Sequence, residues 1–180
     1  MTVVDVTSAE HVVLLDEAGN PCGTALKSEI HTGQTPLHLA FSCHLSNRAG
    51  QVLVTRRALT KTTWPGVWTN SFCGHPAPDE VVTAAVVRRA HHELGITVHS
   101  VEPLLPEFRY RARDASGVIE NEVCPVFRAV TDDEVTPNPD EVSEWHWVDP
   151  SELAAAVAAA PFAFSPWLAL QLAELGDQHP

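Results

Sequence analysis

The sequence predicts a single α+β domain, in which a mixed β-sheet sandwich is flanked by helices. Extended and helical stretches follow one another without the regular strand–helix alternation of a parallel-sheet fold. The 180 residues, of which 44% are hydrophobic and 19% charged, are enough to bury one sizeable core. Because no internal repeat or linker divides the chain, we expect one domain over residues 1–180, with its core between about residues 11 and 167.

Short extended stretches separated by turns fill the first part of the chain. Residues 11–16 and 23–27 are predicted strands on either side of a turn that contains glycine and proline. Residues 37–45 alternate apolar and polar side chains, the period of a strand with two different faces. A turn then leads into residues 51–57, the predicted hairpin partner. Residues 61–75, with two tryptophans and a Pro-Gly pair, are interpreted as a structured loop.

The clearest helix of the sequence covers residues 79–94. Asp79 is its expected N-cap, alanine and valine fill it, and a glycine follows it. Residues 108–113 and 118–130 are predicted strands, with a bulge or an edge position at Pro125. The remaining predicted elements are an acidic loop at 131–140, a strand at 142–148, and helices at 151–160 and 166–175.

The distribution of charge restricts the possible partners. A net charge of −12 argues against a nucleic-acid-binding protein. Every lysine and arginine lies between Lys27 and Arg128, which suggests a site for an anionic ligand, although a solvated basic face would give the same pattern. The sequence shows no signal-peptide pattern, no apolar run of the ~18–20 residues that span a membrane, and no CxxC pair. We therefore expect a cytoplasmic monomer or weak oligomer with reduced thiols and no membrane partner.

A spaced motif begins at Gly74. The Nudix box reads Gly, five residues, Glu, seven residues, Arg-Glu, two residues, Glu-Glu, one residue, Gly, and the positions that match it are Gly74, Glu80, Arg88, Glu93 and Gly95. The match indicates a Nudix-like fold. Arg89 and His92 stand where the box has two of the carboxylates that hold divalent ions for hydrolysis at phosphorus. Arg89 and Glu93 are four residues apart and share a helix face, so an ordinary surface ion pair is an alternative interpretation.

The rest of the chain resembles type 1 isopentenyl-diphosphate isomerases from about His11 to Trp167. The stretches that carry the resemblance are HTGQTPLHLAF at 31–41, TRRALTK at 55–61, WPGVWTNSFCGHP at 64–76, FRYRA at 108–112, ENEVCPVF at 120–127 and FSPW at 164–167. The resemblance implies an isomerase of isoprenoid biosynthesis that converts isopentenyl diphosphate to dimethylallyl diphosphate. Such a reaction protonates one carbon of an unactivated double-bond system and deprotonates another, so it needs two acid–base groups.

Nitrogen and oxygen donors suited to a divalent metal occur at the positions where this family has its metal ligands. They are His31, His38, His75, Glu120 and Glu122. Taken alone, each histidine is more often a surface or core residue, and the resemblance is what favours these three. Imidazole with carboxylate is compatible with Mn²⁺, Fe²⁺ or Zn²⁺. We expect a manganese- or zinc-type site, and a separate Mg²⁺, bound with the substrate diphosphate, at Glu93.

The resemblance assigns the acid–base roles to Cys73 and Glu122, and either one can be the donor. It also implies that Tyr110 points inward near the acid and that Trp167 forms an aromatic wall over the carbocation. A purely structural role is an alternative for Tyr110, and a buried hydrophobe is one for Cys73, although nearby positive charge would favour its thiolate. The basic residues that match diphosphate-binding positions of the family are Lys27, Arg57, Lys61 and Arg89.

Other functions remain compatible with the residues. A Nudix-type hydrolase of a nucleoside or isoprenoid diphosphate fits the scaffold, but Arg89 and His92 argue against it. A Cys-His hydrolase would use Cys73 with His75 as base, which fails if a metal occupies His75. A non-catalytic diphosphate-binding module would not need Cys73 or the glutamates of the ENEV stretch.

Overall fold

The protein is represented by a computed structural model that describes residues 10–176, so both ends of the predicted domain, residues 1–9 and 177–180, lie outside the described residues. The strands are β1 (His11–Leu15), β2 (Pro21–Leu26), β3 (His38–Leu39), β4 (Phe41–Ser46), β5 (Val52–Arg57), β6 (Trp68–Thr69), β7 (Phe72–Gly74), β8 (His99–Leu105), β9 (Arg109–Arg113), β10 (Ile119–Val123), β11 (Val126–Val130) and β12 (Val142–Val148). The α-helices are α1 (Lys27–Ile30), α2 (Val82–Leu94), α3 (Pro150–Ala159) and α4 (Pro166–Leu175). The predicted single α+β domain is confirmed.

Two mixed sheets form the sandwich. The first has the order β2-β1-β3-β10-β9, and the second has the order β12-β5-β4-β11-β8 with β6 paired to β5 and β7 paired to β4. The pairs β3–β10 and β4–β11 are parallel, and the other ladders are antiparallel. The chain therefore passes from the first sheet to the second twice, between β3 and β4 and again between β10 and β11.

These two crossings correct the sequence-based assignment of one strand at 37–45 and one at 118–130. At the first crossing, the Ala40 amide donates to the Val123 carbonyl, and the Ser42 amide donates to the Pro125 carbonyl. Pro125 has no N–H to continue a ladder, so it marks the second crossing and not a bulge or an edge position. Both predicted strands divide because each crosses between the layers.

The remaining strand assignments differ mainly at short or irregular elements. The predicted hairpin partner of β4, β5, forms a strand pair with it only at Ser46 and Val52 and pairs chiefly with β12. The predicted loop at 61–75 contains the short strands β6 and β7. The edge strand β8 was not predicted, because it is mostly exposed and contains Pro103, so it lacks an alternating pattern.

Helix α2 begins later than its sequence suggests. Its N-cap is Val81, which makes no side-chain capping bond, and Asp79 lies in the preceding turn with φ of +64°. The prediction of Asp79 as the cap is therefore wrong. The helix ends as expected, with Gly95 in the left-handed conformation at φ of +66°. A Cβ at Gly95 would also lie 2.3 Å from the Thr136 Oγ1 atom, so only glycine fits there.

Three groups of buried apolar residues hold the layers together. The largest joins α2 to the second sheet and includes Phe41, Leu45, Leu53, Phe72 and Leu94. A second group joins α3 and α4 to β5, and a third lies between the sheets around Phe108, Tyr110 and Trp167. None of the helices within residues 10–176 has both the length and the apolar character required to cross a bilayer.

Candidate active site

The strand crossings bring four predicted metal ligands to one place. Glu122 on β10 is the register partner of His38 on β3. His75 directly follows β7, which pairs with β4, and His31 directly follows α1. The centroids of the three imidazole rings lie 5.1–5.7 Å from one another. The chain thus collects side chains that are as far as 91 residues apart in the sequence.

The ligand atoms of His31, His38, His75 and Glu122 all lie within 4.8 Å of one another. The Glu122 Oε1 atom is 3.4 Å from His38 Nε2 and 3.2 Å from His75 Nε2. Glu120 is outside this group of four but adjoins it, because its Oε2 atom lies 3.0 Å from His31 Nε2. All five predicted ligands therefore converge on one cluster.

Several donor atoms of the cluster are buried and make no hydrogen bond. These atoms are Nε2 of His31, Nε2 of His38 and Oε2 of Glu120. Buried polar atoms are almost always satisfied, so three unsatisfied ones side by side indicate a missing partner. His38 Nδ1 donates to the Pro36 carbonyl at 3.0 Å, which leaves the Nε2 lone pair facing the cluster. The donor set fits a divalent metal ion.

The protonation states of Glu122 and His75 suit metal binding, whereas the nearby Glu122 raises the pKa of His38 against the effect of burial. Burial opposes the ionisation of Glu122, but the neighbouring imidazoles of His38 and His75 hold its pKa well below the ordinary value. Burial lowers the pKa of His75 to about 4, so this imidazole is neutral near pH 7. Ionised carboxylate and neutral imidazole are the forms that coordinate metals.

Cys73, Glu122, Tyr110 and Trp167 line one cavity of about 430 Å³ together with metal-cluster residues. Tyr110 on β9 is the register partner of Glu122 on β10 and is buried. Its inward orientation agrees with the alternation of exposed arginines and buried residues along β9. The cavity is therefore lined by a thiol, a carboxylate and aromatic rings.

The environment of Cys73 differs from the expected one. Burial raises the pKa of Cys73 to about 11, which favours the thiol over the thiolate. The polar atoms nearest its sulfur are the Ser42 hydroxyl and the Asn70 side-chain carbonyl oxygen, each 3.3 Å away. Neither of these atoms carries the positive charge that would stabilise a thiolate.

Trp167 is held from several sides in the wall of the cavity. Its ring lies 5.8 Å from that of Tyr110 and 5.3 Å, edge to face, from that of Trp64. The guanidinium carbon of Arg57 lies 5.3 Å from the Trp167 ring centroid, within the range of a cation–π contact. Only 3% of the Trp167 surface is exposed, so the ring is fixed in place.

Basic side chains also line the cavity, and each has an internal partner. Lys27 Nζ lies 2.5 Å from Glu10 Oε2. Arg57 donates from Nε and Nη2 to the Thr63 carbonyl at 3.0 and 2.8 Å. Because these side chains are already oriented, less conformational entropy is lost when they bind an anion.

Arg89 and Glu93 form an ion pair, as their spacing predicts, but the pair is buried and not a surface feature. Arg89 Nη2 also lies 3.2 Å from Glu141 Oε1, and Lys61 pairs with the other carboxylate oxygen of Glu141. Burial opposes the ionisation of Glu141, yet Lys61 and Arg89 lower its pKa to about 2. His92, half-exposed, is 3.5 Å from Glu141 and does not enter the cavity wall.

The positions that match the Nudix box hold the backbone next to the site. Arg88 donates to both carboxylate oxygens of Glu80 and, at 3.1 Å, to the His75 carbonyl. A Cβ at Gly74 would lie 2.7 Å from Arg89 Cγ, so glycine is what allows β7 to approach α2 this closely. The box thus fixes the backbone at His75.

Sequence reasoning missed several residues that contact the predicted ones. Glu10, Thr63 and Glu141 are hydrogen-bonded or ion-paired to predicted site residues. Each is a common surface type outside any motif, and Glu141 is 80 residues from Lys61 in the chain. The clustering of the lysines and arginines in one part of an acidic sequence is the sequence signal that suggests internal carboxylate partners.

The fold and the matched domain define the class of this protein. Residues 36–168 match the NUDIX domain. Among solved structures, the fold is similar to that of DR0079 from Deinococcus radiodurans, with a TM-score of 0.71 and 22% identity over 92% of this chain and 98% of that one. At that identity, the likeness shows the fold alone. The protein therefore belongs to the class of Nudix-domain proteins.

Curated relatives specify the family within that class. The chain is 63% identical over 170 residues to an isopentenyl-diphosphate Delta-isomerase of Clavibacter sepedonicus, which covers 94% of this chain and 90% of the relative. It is also 63% identical over 169 residues to the Agromyces mediolanus protein of the same name, with 94% and 82% covered. The chain belongs to the isopentenyl-diphosphate Delta-isomerase family.

Proposed function

We propose that this protein interconverts isopentenyl diphosphate and dimethylallyl diphosphate by proton transfer at carbon. The observation that carries the proposal is that Cys73 and Glu122 line one cavity with Trp167, beside a metal-type cluster and a group of basic side chains. The relatives named for this reaction support the same conclusion.

The metal cluster has a defined place in this proposal. His31, His38, His75, Glu120 and Glu122 would hold one divalent ion, of the Mn²⁺ or Zn²⁺ type, because nitrogen and oxygen donors are combined there. Glu93 would hold a Mg²⁺ that is bound together with the diphosphate. When bound, the ions supply fixed positive charge that orients Glu122 and neutralises the phosphate oxygens.

The basic residues would bind the diphosphate end of the substrate. Lys27, Arg57, Lys61 and Arg89 all line the cavity, so their charges converge on one region. Charge-assisted hydrogen bonds to phosphate oxygens are strong and would keep the diphosphate bound while the carbon end reacts. Glu141 holds Lys61 and Arg89 from outside the cavity lining.

Protonation of the terminal carbon of the double bond gives a tertiary carbocation at the branched carbon. Removal of a proton from the neighbouring carbon, on the diphosphate side, then forms the new double bond. Cys73 and Glu122 are the two groups that exchange these protons, one giving and the other taking, and the roles reverse in the back reaction. Trp167 and Tyr110 would cover the cation, and their burial excludes the water that would trap it.

The alternative of hydrolysis at phosphorus has less support. Arg89 and His92 replace two of the four carboxylates of the box, and one of the two that remain, Glu93, is paired with Arg89. The other box carboxylate, Glu80, is bound to Arg88 and serves to hold the backbone. Helix α2 therefore lacks the group of free carboxylates that a hydrolase of this class uses.

Incubation with isopentenyl diphosphate and Mg²⁺ in D₂O separates these functions. We expect dimethylallyl diphosphate with deuterium in the methyl group formed from the terminal carbon, because the donating side chain exchanges its proton with solvent. Mass spectrometry and proton NMR follow the label, and a phosphate assay follows hydrolysis. Release of phosphate or pyrophosphate without carbon labelling would overturn the proposal in favour of a hydrolase, and neither product would indicate a binding module.

Two substitutions at Trp167 test the cation–π contribution. Both Trp167→Phe and Trp167→Leu lose the hydrogen bond from Nε1 to Asn70, so a comparison of the two isolates the aromatic face. We expect the leucine variant to turn over about tenfold more slowly than the phenylalanine variant, since a desolvated cation–π contact is worth roughly 0.5–2 kcal/mol. Steady-state rates at saturating substrate measure the ratio. Equal rates would restrict Trp167 to packing.

A further inference from the structure

A buried chain of polar side chains runs from helix α4 to the Cys73 thiol. Gln171 on α4 lies between His44 and Ser42 on β4: its Oε1 atom is 2.9 Å from His44 Nε2, and its Nε2 atom donates to Ser42 Oγ at 2.9 Å. Ser42 Oγ lies 3.3 Å from Cys73 Sγ. Ser42, His44 and Gln171 are all 0% exposed. Burying polar groups so deep in a core costs free energy unless they are hydrogen-bonded. A hydrogen-bonded chain of this kind fixes the geometry of its members.

The direction of these hydrogen bonds follows from the histidine. Burial lowers the pKa of His44 to about 4, so the ring is neutral and carries one N–H. His44 Nδ1 is buried without a hydrogen-bond partner, and an unpaired acceptor is tolerated better there than an unpaired N–H. The proton is therefore on Nε2 and is donated to Gln171 Oε1. The Gln171 amide group must then donate to Ser42, as observed.

Because Ser42 Oγ accepts from Gln171, its own proton is directed elsewhere. Two sulfur atoms are within reach, Cys73 Sγ at 3.3 Å and Cys124 Sγ at 3.5 Å. Cys73 is the nearer of the two and lines the cavity, whereas Cys124 does not. The hydroxyl hydrogen therefore approaches the Cys73 sulfur from the side of β4.

Asn70 contacts the same sulfur from the other side. Its Nδ2 atom donates to the carbonyls of Cys43 and Phe72 at 3.0 and 2.9 Å, which fixes the orientation of the amide. Its Oδ1 atom is consequently directed at Cys73 Sγ, 3.3 Å away, and also accepts from Trp167 Nε1 at 2.9 Å. The sulfur thus has a donor on one side and an acceptor on the other.

We infer that Ser42, Asn70 and Gln171 are positioning residues for the Cys73 thiol. Ser42 and Asn70 hold the sulfur in one rotamer, facing the substrate, and Gln171 sets the direction of the Ser42 hydroxyl from α4. The inference rests on the proposed isomerase function, because a positioned thiol matters only if Cys73 exchanges protons with substrate. Helix α4 therefore does more than supply Trp167, since through Gln171 it also orients Cys73.

The variants Ser42→Ala and Gln171→Met test this inference. Each removes one link without adding charge, and we expect each to lower kcat by about tenfold, the equivalent of one hydrogen bond, with KM changed less than about twofold. The double variant is expected to match Ser42→Ala alone, because both residues act through the same hydroxyl. Product formation by wild type and variants is followed at saturating isopentenyl diphosphate and Mg²⁺.

Thr131→Val is the matched control, since it also removes a hydrogen bond of a buried side chain, from Oγ1 to the Thr97 carbonyl at 2.8 Å, and Thr131 does not line the cavity. We expect its kcat within about twofold of wild type. Melting temperature and metal content are measured for every variant, and rates are expressed per folded, metal-loaded protein, so that lost stability is not counted as lost kcat. A second readout is the solvent deuterium isotope effect on kcat, which is expected to increase in Ser42→Ala as proton transfer becomes more rate-limiting.

The outcomes separate the inference from the function on which it rests. Wild-type kcat in both Ser42→Ala and Gln171→Met, with an active wild-type enzyme, would overturn the positioning role and leave the isomerase intact. Additive losses in the double variant would also overturn it, because they would mean that the two residues act independently. A wild-type protein without isomerase activity would overturn both.

Discussion

Replacing Cys73 with alanine is expected to lower turnover of isopentenyl diphosphate by about 10²–10⁴-fold, the range that a general acid–base group contributes. The severe end of this range is expected, because two proton transfers must both occur and the alanine variant retains only one of the two groups. The substitution removes one partly buried sulfur next to Ser42 and Asn70, so the fold and the metal cluster should remain. Product formation under saturating substrate gives the rate, and circular dichroism and metal analysis check the fold.

Cys22→Ala is the control for this experiment. Cys22 is an exposed thiol on β2 that does not line the cavity, so its replacement should leave turnover unchanged. A rate for Cys73→Ala near that of Cys22→Ala would remove Cys73 from the mechanism and also remove the reason to position it.

The sequence predicts the regular elements of this fold well where one local signal decides them. Helix α2 ends at Gly95 as expected, and the strand at 142–148 and the helix at 166–175 have the predicted bounds. The predictions fail where tertiary structure decides. Each of the two segments at 37–45 and 118–130 is predicted as one strand but contains a sheet-to-sheet crossing, and only the pairing partners reveal the crossings.

The residues of the candidate site also fall into those that the sequence predicts and those that only the tertiary structure reveals. Residues within recognisable motifs, such as His38, Cys73 and Glu122, lie together in the structure around one cavity and cluster. The residues that hold them, such as Glu141 and Gln171, belong to no motif and act across 80 and 129 residues of chain. Spacing along a strand or helix predicts which side chains share a face, but it cannot predict a contact between distant elements.

Glu122 has two proposed roles, and its geometry allows both. Its Oε1 atom lies 3.2–3.4 Å from two imidazole nitrogens of the metal cluster, and its side chain also lines the cavity with Cys73. A carboxylate so placed can coordinate a metal and exchange a proton with substrate. The two roles predict different consequences of a substitution, so they can be measured separately.

Glu122→Gln keeps the shape of the side chain but replaces the anionic ligand with a neutral amide that cannot take up or release a proton in this reaction. We expect less bound metal after exhaustive dialysis and a loss of turnover of about 10²–10⁴-fold. Excess Mn²⁺ or Zn²⁺ should restore metal occupancy without restoring turnover, because the acid–base group is still missing. Elemental analysis and product assays, before and after metal is added back, measure both effects.

The matched control is Glu102→Gln on the exposed strand β8, where the carboxylate pairs with Arg128 on the surface at 2.7 Å. Exposed ion pairs contribute about 0–1 kcal/mol, so metal content and turnover should both remain at wild-type levels. Recovery of full turnover by Glu122→Gln after metal is added back would limit Glu122 to metal binding. In that case Cys73 would need a different partner, and Tyr110, the register neighbour of Glu122, would be the next residue to replace.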